Sequence, residues 1–267
     1  MPTLVVHGGA WAIPQENTAA TLDGIRDATK AGWEVLNAGG SAVDAVEASV
    51  RVLEDNPVFD AGRGSVLTDE GKVEMDACIM DGHSLGAGAV ASITAARNPI
   101  SVARAVMEST DHCLVVGAGA DRLVERLGCD VAGDEWLVTP AAQDEYERFK
   151  SYSSTVSTLF AAGSSSASNG GDGDSSSKSS AKKEPSMPKM GHDTVGAVAV
   201  DIDGNVAAAT STGGVSRVQP PLQLRRDCGT VPPPVPFSEP QLLHSHCGSY
   251  CILITLSDHL WNARPCG

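Results

Sequence analysis

The junction around Thr194 is the part of the sequence whose residue types and spacing suggest chemistry. Gly-His-Asp-Thr, residues 191–194, follows a low-complexity stretch and directly precedes an apolar segment that predicts a strand. A threonine hydroxyl becomes an effective nucleophile when a base lies beside it. If the chain is cut before Thr194, the new α-amino group, with a pKa of about 8, can accept the hydroxyl proton near neutral pH. Spacing alone favours an ordinary threonine at the start of a strand, because Asp-Thr pairs are common.

The same hydroxyl can make the cut itself. Attack of the Thr194 oxygen on the carbonyl carbon of Asp193 would convert the peptide bond into an ester, which water then opens. Asp193–Thr194 is therefore the predicted cleavage site.

Composition restricts the classes of protein to which the chain can belong. It has 267 residues, with 19 Lys plus Arg against 33 Asp plus Glu and a formal charge of −14. This acidity argues against nucleic acid or an anionic membrane as partner, because both bind basic surfaces. No apolar run approaches the roughly 18 residues that span a bilayer, and residues 1–7 do not resemble a signal peptide. The seven cysteines, an odd number, do not indicate a disulfide framework. We therefore expect a cytoplasmic protein.

The elements that must position Thr194 follow from hydrophobic periodicity. One helix is expected after Asn17 or Thr18, and a second after Ser41, with Asp44 completing a capping box. Gly8 and Gly9 predict a tight turn after the first strand. The mixed order of elements favours an α+β architecture. Strands are predicted over residues 3–6, 73–80, 87–93, 114–116, 195–202, 205–210 and 251–256, with further helices after residues 98 and 117.

Composition divides the chain into four segments. Residues 1–150 form a patterned region, and residues 151–190 contain a Ser/Gly-rich linker that cannot bury enough apolar surface to fold. Order is expected to resume over residues 191–214 with a hairpin turning at Asp203-Gly204. Residues 215–267 form a Pro- and Cys-rich tail without regular patterning.

Two other patterns resemble binding motifs but fail on spacing. Gly117-Ala118-Gly119 lacks the third glycine of a dinucleotide fingerprint. The tail contains zinc-ligand residue types without the spacing of a zinc knuckle, and unrelated tail sequence explains them as well. That cluster consists of His244, His246, Cys247 and Cys251.

An ordered set of stretches between residues 4 and 214 resembles the plant-type L-asparaginase / isoaspartyl peptidase family, which belongs to the N-terminal nucleophile (Ntn) hydrolases. No single stretch is specific, but the set in this order is. The stretches are VHGGAW (6–11), GGSAVDAV (39–46), FDAGRGS (59–65), EMDA (74–77), MDG (80–82), GHDTVGA (191–197) and ATSTGG (209–214).

The resemblance implies a fold, a maturation step and a reaction. The fold would be a four-layer αββα sandwich, cut between Asp193 and Thr194 into two subunits that form a homodimer of αβ pairs. Thr194 would be the nucleophile, Thr212 would hydrogen-bond it, and the Gly8-Gly9 turn would lie against the scissile peptide. The reaction would hydrolyse L-asparagine to aspartate and ammonia, and also β-aspartyl (isoaspartyl) dipeptides. These small molecules would be the partners, and no organic cofactor is expected.

The resemblance also implies a structural sodium site in the loop of residues 53–63. Backbone carbonyl oxygens suit such a cation better than they suit a transition metal. The alternative is a plain connection between a helix and a strand. The residues concerned are Leu53, Glu54, Asn56, Phe59, Ala61 and Arg63.

The sequence departs from the family in two places. Asp60 stands where the family usually has an Asn that orients the nucleophile. An Asp at this position replaces a hydrogen-bond donor by an acceptor, unless the acid is protonated. Beyond Gly214 we find neither the family's Gly-Arg-x-Gly-Asp motif, which binds the substrate's α-carboxylate and α-amino groups, nor its Thr-Gly-x-Gly oxyanion segment. The Arg-Arg-Asp at 225–227 lacks the flanking glycines. We therefore expect a fold truncated at its C-terminal side and poor or no turnover of asparagine.

Three alternatives to an active asparaginase follow. The chain could be a catalytically impaired isoform that acts at most as a binding or regulatory partner. A glycosylasparaginase shares the His-Asp-Thr cut but would need secretion. A threonine endopeptidase would need a larger substrate groove.

Overall fold

The chain folds into one sheet with helices packed against it. A computed structural model describes residues 1–11, 13, 15–151, 193–214, 250–256 and 262–265, the last two ranges as backbone alone. The strands are β1 Thr3–Trp11, β2 Met75–Asp81, β3 Ala87–Ile93, β4 Val115–Val116, β5 Val195–Val200, β6 Val206–Thr212, β7 Tyr250–Leu256 and β8 Asn262–Pro265. The helices are α1 Thr18–Asn37, α2 Ala42–Asp55, α3 Pro99–Ser109, α4 Ala118–Arg126, α5 Asp134–Leu137 and α6, residues 140–151, with single 3-10 turns at Gln15–Asn17 and Gly62–Gly64.

The segment that follows Thr194 lies in the middle of this sheet. Its eight strands run in the order β4-β3-β2-β6-β5-β1-β7-β8. Neighbouring strands are antiparallel except for β3 and β4. The β5–β6 hairpin is therefore flanked by β1 and β2, which come from much earlier in the chain. Its turn contains Gly204 with φ +85°, as the Asp203-Gly204 pair predicts.

The two faces of the sheet have different surroundings. Side chains alternate between faces along a strand, and the face packed on α1 and α2 includes Leu4, Val6 and Ala197, all buried. The opposite face includes Val198 and Val206, each 45% exposed. The described residues thus show one sheet with helices on one side. The four-layer sandwich needs a second sheet on the open face and stays a prediction.

The capping box predicted at the start of α2 is confirmed. The Ser41 hydroxyl accepts a hydrogen bond from the Asp44 amide at 3.1 Å, and the Asp44 carboxylate accepts one from the Ser41 amide at 3.3 Å. The helix ends at Asp55, before Asn56-Pro57. Since α2 packs on β5 and β6, its start and end determine how the hairpin that follows Thr194 is supported.

The turn predicted at Gly8-Gly9 is wrong. β1 continues to Trp11, because β5 pairs with it through His7 and β7 pairs with it as far as Trp11. The two glycines have another use within the strand. A Cβ on Gly8 would lie 2.6 Å from the Phe59 ring, and Gly9 has φ +104°, where the register with β7 shifts.

Several predictions lie outside the described residues. These are the linker, which lies almost wholly within residues 152–192, the Gly191-His192 part of the cleavage motif, and most of the tail, including His244, His246 and Cys247 of its His/Cys cluster. The strand predicted from residue 251 is confirmed as β7. No helix among the described ranges has the length and apolar character needed to cross a membrane.

Candidate active site

Thr194 and Thr212 lie opposite each other across the central hairpin. The β5–β6 ladder pairs Val195 with Ser211. One step further along the same register sets Thr194 against Thr212. Paired residues in antiparallel strands project from the same face, and Val195 and Ser211 are buried on the helix side. The two threonines therefore lie on the open face.

The carboxylate of Asp193 has both oxygens bound by backbone amides. The amide of Ala10, on β1, donates to Oδ2 at 2.6 Å, and the amide of Thr194 donates to Oδ1 at 2.7 Å. The β1–β5 register, which pairs His7 with Gly196, continues to set Gly9 opposite Thr194. The predicted cleavage site thus lies against Gly9 and Ala10, although these belong to a strand.

The hydroxyl of Thr212 accepts a hydrogen bond from the Gly214 amide at 3.1 Å. A hydroxyl that accepts one hydrogen bond still has its own proton to donate. Thr212 also pairs with Asp76 of β2, so strands on both sides fix its backbone. This arrangement suits a residue that orients a neighbouring nucleophile.

Asp60 attaches the loop after α2 to the end of β6. Its side chain is 5% exposed, its Oδ1 accepts the Val66 amide at 3.1 Å, and its carbonyl accepts the Gly213 amide at 2.8 Å. Gly213 has no room for a side chain, because a Cβ there would overlap Asp60 Oδ1 and the side chain of Ser65. Asp60 is thereby placed next to Thr212.

The side chain of Glu54 is a buried acid below β6, and sequence reasoning considered only its backbone. It is fully buried, and Oε1 accepts the Ile100 amide at 3.0 Å. Burial raises the pKa of Glu54 to about 8, against the opposite effect of the Ser211 hydroxyl and the Ile100 amide. Glu54 is therefore mainly protonated at neutral pH. The available signal was an acid directly beside Leu53 on an otherwise apolar helix stripe.

His7 is a second residue whose side chain sequence reasoning did not assign. It is partly buried on β1 and projects from the open face, since its neighbour Val6 is buried on the helix side. Burial lowers the pKa of His7, while the charge of Asp193 acts in the opposite direction. The signal in the sequence was a single ionisable residue within an apolar strand.

The loop of residues 53–63 and the Gly64 that follows it pack closely on their own backbone. A Cβ on Gly62, which has φ +57°, would overlap the Glu54 carbonyl oxygen, and one on Gly64 would overlap that of Phe59. Gly62 and Gly64 therefore let the backbone carbonyl groups of Glu54 and Phe59 approach closely, where a side chain would overlap them. The Arg63 guanidinium stacks on Trp136 at 4.3 Å, so only its backbone can serve the loop. Within the described chain, no cluster of three or more His, Cys, Asp or Glu could hold a metal ion.

Comparison with known proteins shows the family to which this chain belongs. A profile of a family described as asparaginase matches residues 1–219. The chain belongs to the asparaginase family. The match contains the hairpin with Thr194 and Thr212, the loop with Asp60, and β1.

Individual relatives agree with the family match. An isoaspartyl peptidase/L-asparaginase of Danio rerio is 41% identical over 215 residues, covering 80% of this chain and 60% of the relative. A plant-type L-asparaginase of Thermococcus kodakarensis is 44% identical over 216 residues, covering 80% and 64%. A putative isoaspartyl peptidase/L-asparaginase of Dictyostelium discoideum is 45% identical over 223 residues, with the same shares. The matched part thus spans about three fifths of the length of these relatives.

Proposed function

We propose that Thr194 is the nucleophile of an amidohydrolase that first cleaves its own chain after Asp193. The substrates are L-asparagine and β-aspartyl dipeptides, as the names of the relatives suggest. The observation that carries this proposal is the Asp193 carboxylate, held by the amides of Ala10 and Thr194 beside β1. It holds the peptide group to be cut at a strand end, where Thr212 lies opposite the nucleophile.

Self-cleavage begins with attack of the Thr194 hydroxyl oxygen on the carbonyl carbon of Asp193. The C–N bond breaks, the nitrogen takes up the hydroxyl proton, and Asp193 is left as an ester on the threonine oxygen. Water then attacks the ester. This step restores the hydroxyl, gives Asp193 a free carboxyl terminus and leaves Thr194 with a free α-amino group.

Substrate hydrolysis repeats this chemistry with the new amino group as base. The amine accepts the hydroxyl proton while the oxygen attacks the side-chain amide carbon of asparagine. The proton then passes to the leaving nitrogen, ammonia departs, and the β-carboxyl group of aspartate is esterified to Thr194 until water releases it. With a β-aspartyl dipeptide the leaving group is the α-amino group of the second residue.

Turnover by the present chain is proposed to be slow although self-cleavage proceeds. The groups that position the scissile peptide lie before residue 215, in the region that matches the family. The family's substrate-clamping Arg and Asp and its oxyanion segment have no counterpart in residues 215–267. Loss of one oxyanion donor alone typically lowers kcat by a factor of roughly 10²–10³.

A binding role is the second candidate function. The open sheet face favours it, because the apolar side chains of Met80, Val198 and Val206 are each 42–45% exposed there. A chain with little turnover could still pair with an active protomer through that face.

The test of the proposed function is the mass of the purified chain followed over time. We expect two fragments that separate between Asp193 and Thr194, whereas a Thr194→Ala variant stays intact and a Thr194→Ser variant retains cleavage. Ammonia release from asparagine is then measured on the cleaved protein. A wild-type chain that never cleaves would contradict the nucleophile assignment, and rapid ammonia release would contradict the slow turnover.

We also propose that the loop of residues 53–63 binds a sodium ion through its backbone carbonyls. The carbonyl groups of Glu54 and Phe59, which approach Gly62 and Gly64 closely within this loop, support this. We expect a higher Tm in sodium chloride than in tetramethylammonium chloride at equal ionic strength. Gly62→Ala should remove that difference, because its methyl group would overlap the Glu54 carbonyl and displace it. Equal Tm values of the wild-type chain in both salts would contradict the sodium site.

A further inference from the structure

The side chain of Asp76 lies on the open sheet face, in one row with the two threonines of the site. β2 and β6 pair Asp76 with Thr212, and the β5–β6 register continues to set Thr194 against Thr212. Residues paired in this way project from the same face. Asp76 is exposed there, while its neighbours Met75 and Ala77 are buried. The three polar side chains therefore follow one another across neighbouring strands.

A β-bulge in β3 holds one oxygen of the Asp76 carboxylate. The β2–β3 register shifts between Met75 and Ala77, opposite Asp76. In the bulged segment Ser92 has φ +49°, a left-handed conformation that is strained in a residue other than glycine. The Ser92 amide donates to Asp76 Oδ1 at 2.7 Å. Bulges and strained residues of this kind are frequent beside active sites, where they aim a side chain.

The second oxygen, Asp76 Oδ2, accepts no hydrogen bond from the part of the chain that the structure describes. It can therefore accept one from a cation, and such charge-assisted hydrogen bonds are strong.

The spacing between Asp76 and Thr194 fits the length of an asparagine molecule. The two residues lie two strands apart, with about 10 Å between their Cα atoms. An attack distance of about 3 Å lies at one end and a hydrogen bond of about 2.8 Å at the other. Between them stand the three bonds that separate the side-chain amide carbon of asparagine from its α-nitrogen. Together these parts span the distance.

We propose that Asp76 binds the α-ammonium group of the substrate and selects substrates in which that group is free. This inference rests on the proposed function and names a group that its substrates share. L-asparagine and β-aspartyl dipeptides both carry a free α-amino group on the aspartyl residue. An isoaspartyl residue inside a peptide chain has an acylated, neutral α-nitrogen and is excluded. Asp76 thus supplies, from the region that matches the family, a carboxylate for the substrate that residues 215–267 lack.

The test compares the binding of L-aspartate, the reaction product, with that of succinate, which lacks the α-amino group. The Kd values are measured by NMR titration at pH 7 on the self-cleaved wild type, Asp76→Asn and Asp203→Asn. Asp76→Asn keeps an oxygen for the Ser92 amide and removes the charge, so it should fold and self-cleave like the wild type. Its Kd for aspartate should rise about tenfold to a hundredfold, with succinate bound no more weakly. Asp203→Asn, in the exposed turn at the far end of the hairpin, loses the same charge and should keep both Kd values.

The outcomes separate this inference from the proposed function. A wild type that binds aspartate no more tightly than succinate would overturn the inference, as would a preference for aspartate that persists in Asp76→Asn. Equal weakening of both ligands in Asp76→Asn would indicate a purely structural residue and would overturn it as well. If Asp76→Asn fails to fold, N-acetyl-L-aspartate, whose α-nitrogen is neutral, provides the measurement on the wild type, and binding as tight as that of aspartate would overturn the inference. A wild type whose mass shows no cleavage contradicts the proposed function itself, before any titration.

Discussion

At the scale of single residues, the candidate site depends on hydrogen bonds that fix groups beside Thr194, the proposed nucleophile. Asp193 is held by two amides, and Thr212 accepts the amide of Gly214. The donor in each of these hydrogen bonds is a backbone amide, and each amide is held in position at or next to the end of a strand. The orientation of Thr194 therefore depends little on flexible side chains, which limits the entropy lost when the reacting groups meet.

The acid at position 60 gives a prediction at this scale. Replacing Asp60 by Asn keeps the oxygen that accepts the Val66 amide and adds an N–H donor beside the end of β6. We expect Asp60→Asn to leave the free energy of unfolding nearly unchanged and to speed self-cleavage. Intact-mass kinetics and urea unfolding measure the two effects.

Asp60→Ala is the matched comparison. It removes the acceptor of the buried Val66 amide and should destabilise the fold by about 1–3 kcal/mol. Self-cleavage by Asp60→Asn at a rate below that of the wild type would contradict the donor role assigned to this position.

At the scale of elements, the loop of residues 56–65 and strand β6 act as one unit. The Asp60 carbonyl accepts the Gly213 amide at 2.8 Å, and the absence of a side chain at 213 allows this close approach. The loop begins where α2 ends, at the Asn56-Pro57 that cannot continue the helix. The position of Thr212 thus depends on where α2 stops.

Gly213→Ala should separate this loop from β6. Its methyl group would overlap Asp60 Oδ1 and Ser65, so we expect a loss of about 1–3 kcal/mol in stability and slower self-cleavage. Gly119→Ala on α4 is the control, because the nearest side-chain atom lies at 3.4 Å from the new Cβ. It should stabilise the helix by up to about 1 kcal/mol. Equal cleavage rates in both variants would exclude a role for the loop contact.

At the scale of the whole molecule, Asp201 connects the helix layer to the sheet. Its Oδ2 accepts the Ala42 amide at the start of α2 at 3.2 Å, and its Oδ1 accepts the Asn205 amide at 2.9 Å in the β5–β6 turn. Burial raises the pKa of Asp201, but hydrogen bonds to Asn205 and Ala42 outweigh this and lower it overall. The carboxylate thus stabilises the contact between the layers in its ionised form.

The pH dependence of stability follows from that lowered pKa. Because the folded pKa lies below the unfolded one, the stabilisation is present above the usual aspartate pKa of about 3.9 and is lost as the pH falls through the folded value. In a Thr194→Ala background, Asp201→Asn should be less stable than its parent at pH 7 and should lose less stability on acidification. Asp203→Asn, at an exposed neighbour, should behave like the parent in urea unfolding at pH 7 and pH 3. An equal acid loss in the parent and Asp201→Asn would contradict this contribution.

Local chemistry made much of the architecture predictable. The capping residues Ser41 and Asp44 located α2, and Asp203-Gly204 located the central hairpin, because each depends only on neighbours in the chain. The turn at Gly8-Gly9 was predicted wrongly for the complementary reason. Two glycines permit a turn, but pairing with β5 and β7, both distant in sequence, keeps that segment extended.

The site divides in the same way. The sequence by itself determined the nucleophile candidate, the bond it would attack and the family resemblance, because these depend on residue order. Only the tertiary structure brought the Ala10 amide to Asp193 and placed Glu54, whose pKa burial raises to about 8, under β6. The first contact arises because strands more than 180 residues apart in the sequence pair with each other. The raised pKa arises because burial makes the ionised carboxylate less favourable. Neither effect is encoded in a local sequence pattern.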